Sequence, residues 1–196
     1  MSAHRLIAVV TIGLGIPAVF GTEAEASDPD ARFASSITSQ IGGKTVRLVL
    51  TGTAVRTKYL FTVYTIGSYV QEGTKVRDAE RLARVQVPKQ LHLIFERDVD
   101  GDTLTKSFRE AIAMSHPAPA FNPELAKLEQ LLRPHPVKKG DHIWLTYIPD
   151  VGLACQVTGQ PSRIVGGVEF ARAAWEVYLG PKNLGVAIKS GLSSRL

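Results

Sequence analysis

The chain has 196 residues and a formal net charge of +5, which is enough sequence for one domain. Its composition, 44% hydrophobic and 21% charged, is that of a globular protein and excludes a wholly disordered chain. The single cysteine, Cys155, excludes an intramolecular disulfide and a zinc site built from several cysteines.

Residues 1–26 have the three-part layout of a secretory signal peptide. Arg5 precedes an apolar run over residues 6–20, and Ala24-Glu25-Ala26 follows as an A-x-A cleavage site. The run is shorter than the roughly 20 apolar residues that span a membrane, so a cleaved signal is favoured over the alternative, an uncleaved anchor. Cleavage would remove one arginine and two glutamates and leave residues 27–196 with a charge of about +6. We therefore expect an exported protein.

Strand patterns dominate the first half of the remaining chain. A short extended segment is followed by Gly42-Gly43, a pair typical of a hairpin turn. Runs rich in β-branched and aromatic residues then predict strands over residues 45–56, 59–69 and 90–97.

Helix patterns alternate with strand patterns in the second half. Asp102 is expected to cap a helix that ends near Met114, and Asn122-Pro123 has the form of a helix start. Further segments are predicted as a short helix at 78–84, two strands at 142–148 and 153–158, a hydrophobic helix at 168–179 and a last short helix near Asn183. The order predicts one α+β domain over residues 27–196, with helices packed on one face of a large, mostly antiparallel sheet.

Arg56 is the unusual residue of the first long strand. It has the same parity as Val46, Leu48 and Leu50, so a regular strand would place its charge on a buried face. A buried guanidinium needs a partner, because removing a lone charge from water is very costly. The alternative is a bulge at Gly52 that turns Arg56 toward water.

No motif in the sequence predicts a metal, a cofactor or a nucleophilic enzyme. The histidines lack the spacing of a zinc site, and G-x-S-x-G and phosphate-binding glycine loops are absent. The basic residues are scattered, which argues against a nucleic-acid partner. A basic surface that contacts an anionic membrane or gathers anionic ligands fits the charge better.

Several segments, taken in order, resemble the chalcone isomerase-like superfamily, and in particular its exported bacterial members. These are Gly52 to Arg56, Val63 to Tyr69, Lys139-Gly140-Asp141, the hairpin near Tyr147, and Phe170 to Lys182. The resemblance covers about residues 33–192. It implies an open-faced β-sandwich, a large antiparallel sheet with helices over one side and a cleft between them, and a periplasmic location.

The resemblance also implies a ligand. The superfamily includes fatty-acid-binding members, in which a cleft arginine and a tyrosine on the next strand hold the carboxylate; these positions fall on Arg56 and Tyr64. A guanidinium matches a carboxylate in shape and charge, and a phenol adds a donor. Tyr59 and Tyr69 are further candidates. The apolar wall of the cleft is expected to include Phe108, Ile112, Phe170, Ala174 and Trp175.

The superfamily's true isomerases use other polar residues that this chain lacks. Their helix tyrosine falls on Leu104, their asparagine on Ala111, a Ser/Thr on Ala171, and their strand threonine on Tyr64. Leu104, Ala111 and Ala171 cannot donate hydrogen bonds to a developing anion. The resemblance therefore favours a non-catalytic protein that holds a fatty acid or another small apolar carboxylate. One alternative is an isomerase of the chalcone isomerase type, that is, an intramolecular lyase, which acts on another substrate. The other alternative is an envelope interaction module in which Arg56 pairs with Glu169 or Glu96.

Overall fold

The computed structural model describes residues 29–196, so the expected signal peptide lies outside the described residues. After a 3-10 turn at Pro29–Arg32, seven strands form one antiparallel sheet in chain order. Each strand pairs with the next one in sequence. The strands are β1 (Ser36–Ile41), β2 (Lys44–Lys58), β3 (Phe61–Gln71), β4 (Lys89–Phe95), β5 (His142–Ile148), β6 (Gly152–Val157) and β7 (Arg163–Gly166).

Five helices are inserted between strands or follow the last strand. They are α1 (Ala79–Arg84), α2 (Gly101–Ala113), α3 (Asn122–Leu132), α4 (Val168–Leu179) and α5 (Val186–Leu192). The buried residues of all five belong to one apolar cluster with one face of the sheet. The predicted α+β class, with helices on one face of an antiparallel sheet, is therefore confirmed.

The other face of the sheet has its own, smaller core. Phe33 and Ile41 pack there against inward-facing residues of β2, β3 and β4: Leu48, Leu50, Tyr69 and Ile94. The segment before β1 thus covers part of the face that the helices leave open.

Local details of several elements differ from the sequence predictions. The carboxylate that caps α2 belongs to Asp100, which accepts a hydrogen bond from the Thr103 amide at 2.8 Å, so the choice of Asp102 was wrong. Phe121, with a left-handed backbone, precedes α3 in place of the expected Asn122 cap. Tyr59 lies in the turn before β3, not in the strand, and the four-residue strand β7 had no recognisable pattern.

Lys89, at the start of β4, is a buried cation that the sequence analysis did not identify. Its ammonium donates to three carbonyls at the end of α1, those of Leu82, Ala83 and Val85, at 3.0, 2.6 and 2.9 Å. It also lies about 5 Å from the ring centres of Tyr147 and Trp175. Burial lowers the pKa of Lys89 to about 7. The lysine thereby ties α1 and α4 to the sheet.

Within residues 29–196, no helix has both the length and the apolar character needed to cross a membrane.

We predict that Lys89→Met lowers the free energy of unfolding by about 3 kcal/mol, because three carbonyls, two of them in buried hydrogen bonds, would lose their donor. Urea unfolding would measure the change. Lys75→Met is the matched control: Lys75 is exposed, and its replacement should change stability by less than about 0.5 kcal/mol. Equal stability of the two variants would contradict the structural role of Lys89.

Candidate ligand-binding cleft

A bulge at Gly52 decides which face of the sheet Arg56 occupies. The pairing of β2 with β3 shifts by one residue between Leu50 and Gly52. Leu48 and Leu50 consequently face the smaller core, whereas Ala54, beyond the bulge, packs in the helix-covered core. The predicted shared face of Arg56 and Leu50 is therefore wrong. The bulge was considered in the sequence analysis, but it turns Arg56 under the helices and not out to water.

Arg56, Tyr64 and Phe95 form a row across three strands on the helix-covered face. Arg56 lies directly opposite Tyr64 in the β2–β3 ladder, and Tyr64 lies opposite Phe95 in the β3–β4 ladder. The Tyr64 and Phe95 rings are tilted at 60°, with centres 5.6 Å apart. Opposite residues of antiparallel strands project to the same side, so the sheet itself places a cation beside a phenol and an apolar ring.

A cavity of about 680 Å³ lies over this row. Its floor includes Leu93 and Phe95 of the sheet, and its roof includes Leu104, Phe108 and Ala111 of α2. Val177 and Tyr178 of α4 and Leu184 of the α4–α5 connection form a further wall. The volume falls in the range of roughly 300–1,000 Å³ that small-molecule sites usually have.

Arg56 has no carboxylate partner within the described residues. Its Nη1 donates to the carbonyl oxygen of Leu184 at 3.1 Å. Glu96 instead pairs with Arg32, and Glu169 pairs with Arg172, so neither glutamate neutralises Arg56 as the interaction-module alternative requires. A guanidinium has five N–H donors, and residues 29–196 supply one protein acceptor for this half-buried group. The remaining donors are free to bind an anion.

A half-buried phenol, that of Tyr64, and a buried phenol, that of Tyr178, accompany the guanidinium. The hydroxyl oxygens of Tyr64 and Tyr178 are 3.5 Å apart. Burial raises the pKa of Tyr64, although Tyr178 and the charge of Arg56 oppose the shift, and burial raises the pKa of Tyr178 well above its ordinary value. Both side chains therefore remain protonated donors at neutral pH. The sequence analysis did not single out Tyr178, which lies within the predicted hydrophobic helix at 168–179. A phenol in such a helix needs a polar partner, and that was the available signal.

The predicted ligand-binding residues divide into three groups: those that line the cavity, those in the packed layer behind it, and those that do not reach it. Phe108 lines the cavity, as do Arg56, Tyr64 and Tyr59. Ile112, Phe170 and Ala174 lie in the packed layer behind it, around a small apolar gap that also touches Phe108 and Tyr178.

Trp175 and Tyr69 do not reach the cavity. Trp175 is buried beside Lys89 and Tyr147. Tyr69 faces the smaller core, where its hydroxyl donates to the Ala34 carbonyl at 3.0 Å. In the regular part of β3, Tyr69 is five residues from Tyr64, and an odd separation puts the two rings on opposite faces. Neither residue lines the cavity that Arg56 borders.

Three of the positions aligned with isomerase polar residues, Leu104, Ala111 and Ala171, have apolar side chains. Leu104 and Ala111 line the cavity, and Ala171 is buried in the core. The acidic side chains at the cavity, those of Asp98, Asp100 and Glu110, are exposed at its edge. Among residues 29–196, no cluster of three His, Cys, Asp or Glu side chains has the geometry to hold a metal ion.

Comparison with known proteins identifies relatives of the fold. Residues 31–192 match the family model described as chalcone isomerase-like. The crystal structure of a fatty-acid binding protein from Arabidopsis thaliana is similar, with a TM-score of 0.63 and 14% sequence identity. The match covers 83% of this chain and 91% of that one. The search of curated proteins found no match.

We predict that Gly52→Ala lowers the free energy of unfolding by about 3 kcal/mol. Gly52 has a φ of +148°, and a Cβ there would lie 2.0 Å from the carbonyl oxygen of Gly191 in α5. Gly167→Ala is the matched control, because its φ is −77° and its Cβ would meet open space. Urea unfolding should show a change within about 1 kcal/mol for the control; similar losses in both variants would contradict the role of the bulge.

Proposed function

The chain belongs to the chalcone isomerase-like family, and from that premise and the cleft geometry we propose that it is a non-catalytic binding protein for a fatty acid or a similar apolar monocarboxylate. The observation that carries the proposal is Arg56, a half-buried cation without a carboxylate partner among the described residues, beside a cavity with apolar walls. The similar plant structure is that of a fatty-acid binding protein, which supports the ligand class.

In the proposed complex, the ligand carboxylate lies against Arg56 and accepts hydrogen bonds from its free N–H groups. The phenols of Tyr64 and Tyr178 are close enough to the same end of the cavity to donate as well. The acyl chain then extends between the floor formed by Phe95 and the roof formed by Phe108. This separation of one charged end from apolar walls matches an amphiphile with a single carboxylate.

The proposed role is storage or transfer rather than chemistry. Away from the exposed edge, the polar side chains that line the cavity are those of Arg56, Tyr64 and Tyr178. A permanently charged guanidinium and two phenols with raised pKa values are poor proton acceptors at neutral pH. Export through residues 1–26 and a periplasmic location are part of the same proposal, and mass analysis of the chain after expression in bacteria would detect cleavage after Ala26.

We expect Arg56→Ala to weaken palmitate binding between about 10- and 100-fold, the loss of one or two charge-assisted hydrogen bonds. Native mass spectrometry of residues 27–196, purified without detergent and titrated with palmitate, would measure the one-to-one complex. Arg47→Ala is the matched control, because Arg47 lies on the same strand but is exposed and pairs with Glu72. Unchanged palmitate binding by Arg56→Ala would refute the carboxylate site.

We expect Ala111→Phe to block palmitate binding without unfolding the protein. Ala111 lines the roof of the cavity, so a ring at this position would occupy the volume assigned to the acyl chain. Ala126→Phe, on an exposed face of α3, is the control for adding a ring to a helix. The same titration and a thermal melt would separate loss of the cavity from loss of the fold. Normal binding by a folded Ala111→Phe variant would place the ligand elsewhere.

A further inference from the structure

The turn between β2 and β3 exposes an unusual run of apolar side chains. We call residues 58–61 the hairpin tip. Within it, Tyr59, Leu60 and Phe61 are 83%, 97% and 63% exposed. One exposed leucine is ordinary, but three consecutive large apolar residues at a protruding turn are typical of an interaction surface.

The backbone of the hairpin tip gives no folding reason for these residues. Tyr59 and Leu60 have φ values of 49° and 68°, the left-handed conformation that a two-residue type I′ turn requires at both positions. The β1–β2 hairpin has the same φ pattern, at 58° and 76°, and places Gly42 and Gly43 there. Tyrosine and leucine are disfavoured in this conformation. The tip therefore retains strained and exposed apolar residues where the same fold elsewhere uses glycine.

Two cations flank the apolar tip. Lys58 Nζ is 5.7 Å from the centre of the Tyr59 ring, and the Arg97 guanidinium is 5.5 Å from the centre of the Phe61 ring. In the part of the chain that the structure describes, neither cation forms an ion pair. Their charges are thus available to a partner.

The nearby acids are already engaged. Asp98 binds the Lys138 ammonium and the Lys139 amide, Asp100 caps α2, and Glu110 lies 3.9 Å from the Lys106 ammonium. Within residues 29–196, none of these three acids forms an ion pair with Lys58 or Arg97. Apolar and aromatic side chains that protrude beside unpaired cations match a lipid interface, where the rings enter the headgroup region and the cations meet anionic headgroups.

We propose that the hairpin tip docks on an anionic lipid bilayer. Tyr59 and Phe61 also line the cavity, together with the exposed Met114, so docking would bring the cavity mouth to the membrane surface. An amphiphile could then pass between bilayer and cavity without crossing open water. This last consequence rests on the proposed function, whereas docking itself does not.

Leu60→Asn is the decisive variant, because Leu60 is not among the residues that line the cavity. Asparagine tolerates the left-handed backbone, so the variant should fold and melt at the same or a higher temperature. The full chain would be expressed and purified in the processed form that the cell produces. Co-sedimentation with vesicles of phosphatidylglycerol and phosphatidylcholine, without fatty acid, would then measure docking. We expect Leu60→Asn to reduce vesicle binding about tenfold.

Matched variants control for general effects of polarity and charge. Ile164→Asn removes another apolar side chain, 50% exposed on β7, and should leave vesicle binding unchanged. Lys58→Ser with Arg97→Ser should weaken binding, while Lys75→Ser with Lys127→Ser, at exposed sites away from the tip, should not. Binding of the parent should fall when salt is raised from 0.1 M to 1 M, because screening shortens the reach of the charges.

Three results would overturn the proposal. They are no binding of the parent to anionic vesicles, equal binding of the parent and Leu60→Asn, and equal binding to vesicles of phosphatidylcholine alone. The first result would instead favour a protein partner for the tip. Palmitate binding measured on Leu60→Asn without vesicles keeps the two proposals separate, because docking can fail while the cleft still binds its ligand.

Discussion

The irregularity at Gly52 is the constraint on which the cleft depends. A regular β2 would alternate without interruption and put Arg56 on the face that holds Leu48 and Leu50, away from the helices. The extra residue reverses the alternation from Gly52 to Arg56, where the ladder has a second irregularity. α5 packs so closely on Gly52 that no side chain fits there, and Thr51 donates to the Leu192 carbonyl at 2.8 Å beside it. The bulge therefore places Arg56 on the helix-covered face of the sheet and provides the surface against which α5 packs.

Once Arg56 lies under the helices, its electrostatics determine what the cavity can hold. Partial burial of a cation costs free energy unless an acceptor compensates, and the structure gives Arg56 one carbonyl, that of Leu184. Lys89 shows how the same chain treats a cation that serves structure alone: three carbonyls and two aromatic rings surround its ammonium. The ammonium of Lys89 thus has an acceptor for each of its donors, as a structural cation needs. Arg56 has N–H donors without a protein acceptor among residues 29–196, and a bound anion would supply one.

The sequence predicted those features that depend on local periodicity. The bounds of β5 and α4 agree with the patterns of their side chains. β5 alternates between buried and half-buried residues, and α4 is an apolar run, buried almost all round, that ends at Gly180. The family resemblance located Arg56 and Tyr64, although their roles as ligand contacts stay a prediction. The pairing of Tyr64 with Tyr178 depends on how α4 crosses the sheet, and the burial of Lys89 depends on where α1 ends. Those are tertiary facts, which alternation and capping patterns do not encode. Tyr69 was included by resemblance, although its odd spacing from Tyr64 already placed it on the other face.

The two hairpins at the ends of β2 show how the same turn can be built for different purposes. Both use left-handed backbone at two successive residues, yet one contains glycines and the other a tyrosine and a leucine. Selection for stability alone would favour glycine or asparagine at both turns, because those residues tolerate this conformation. Tyr59 and Leu60, exposed to water with left-handed backbone, make the turn less stable than glycine or asparagine would. Such strain is typically retained at sites that bind a partner. The turn also adjoins the cavity through Tyr59 and Phe61. The strained tip and Arg56 therefore lie at the same end of the sheet. If the tip docks on a bilayer, an amphiphile could pass from the bilayer into the cavity at this end.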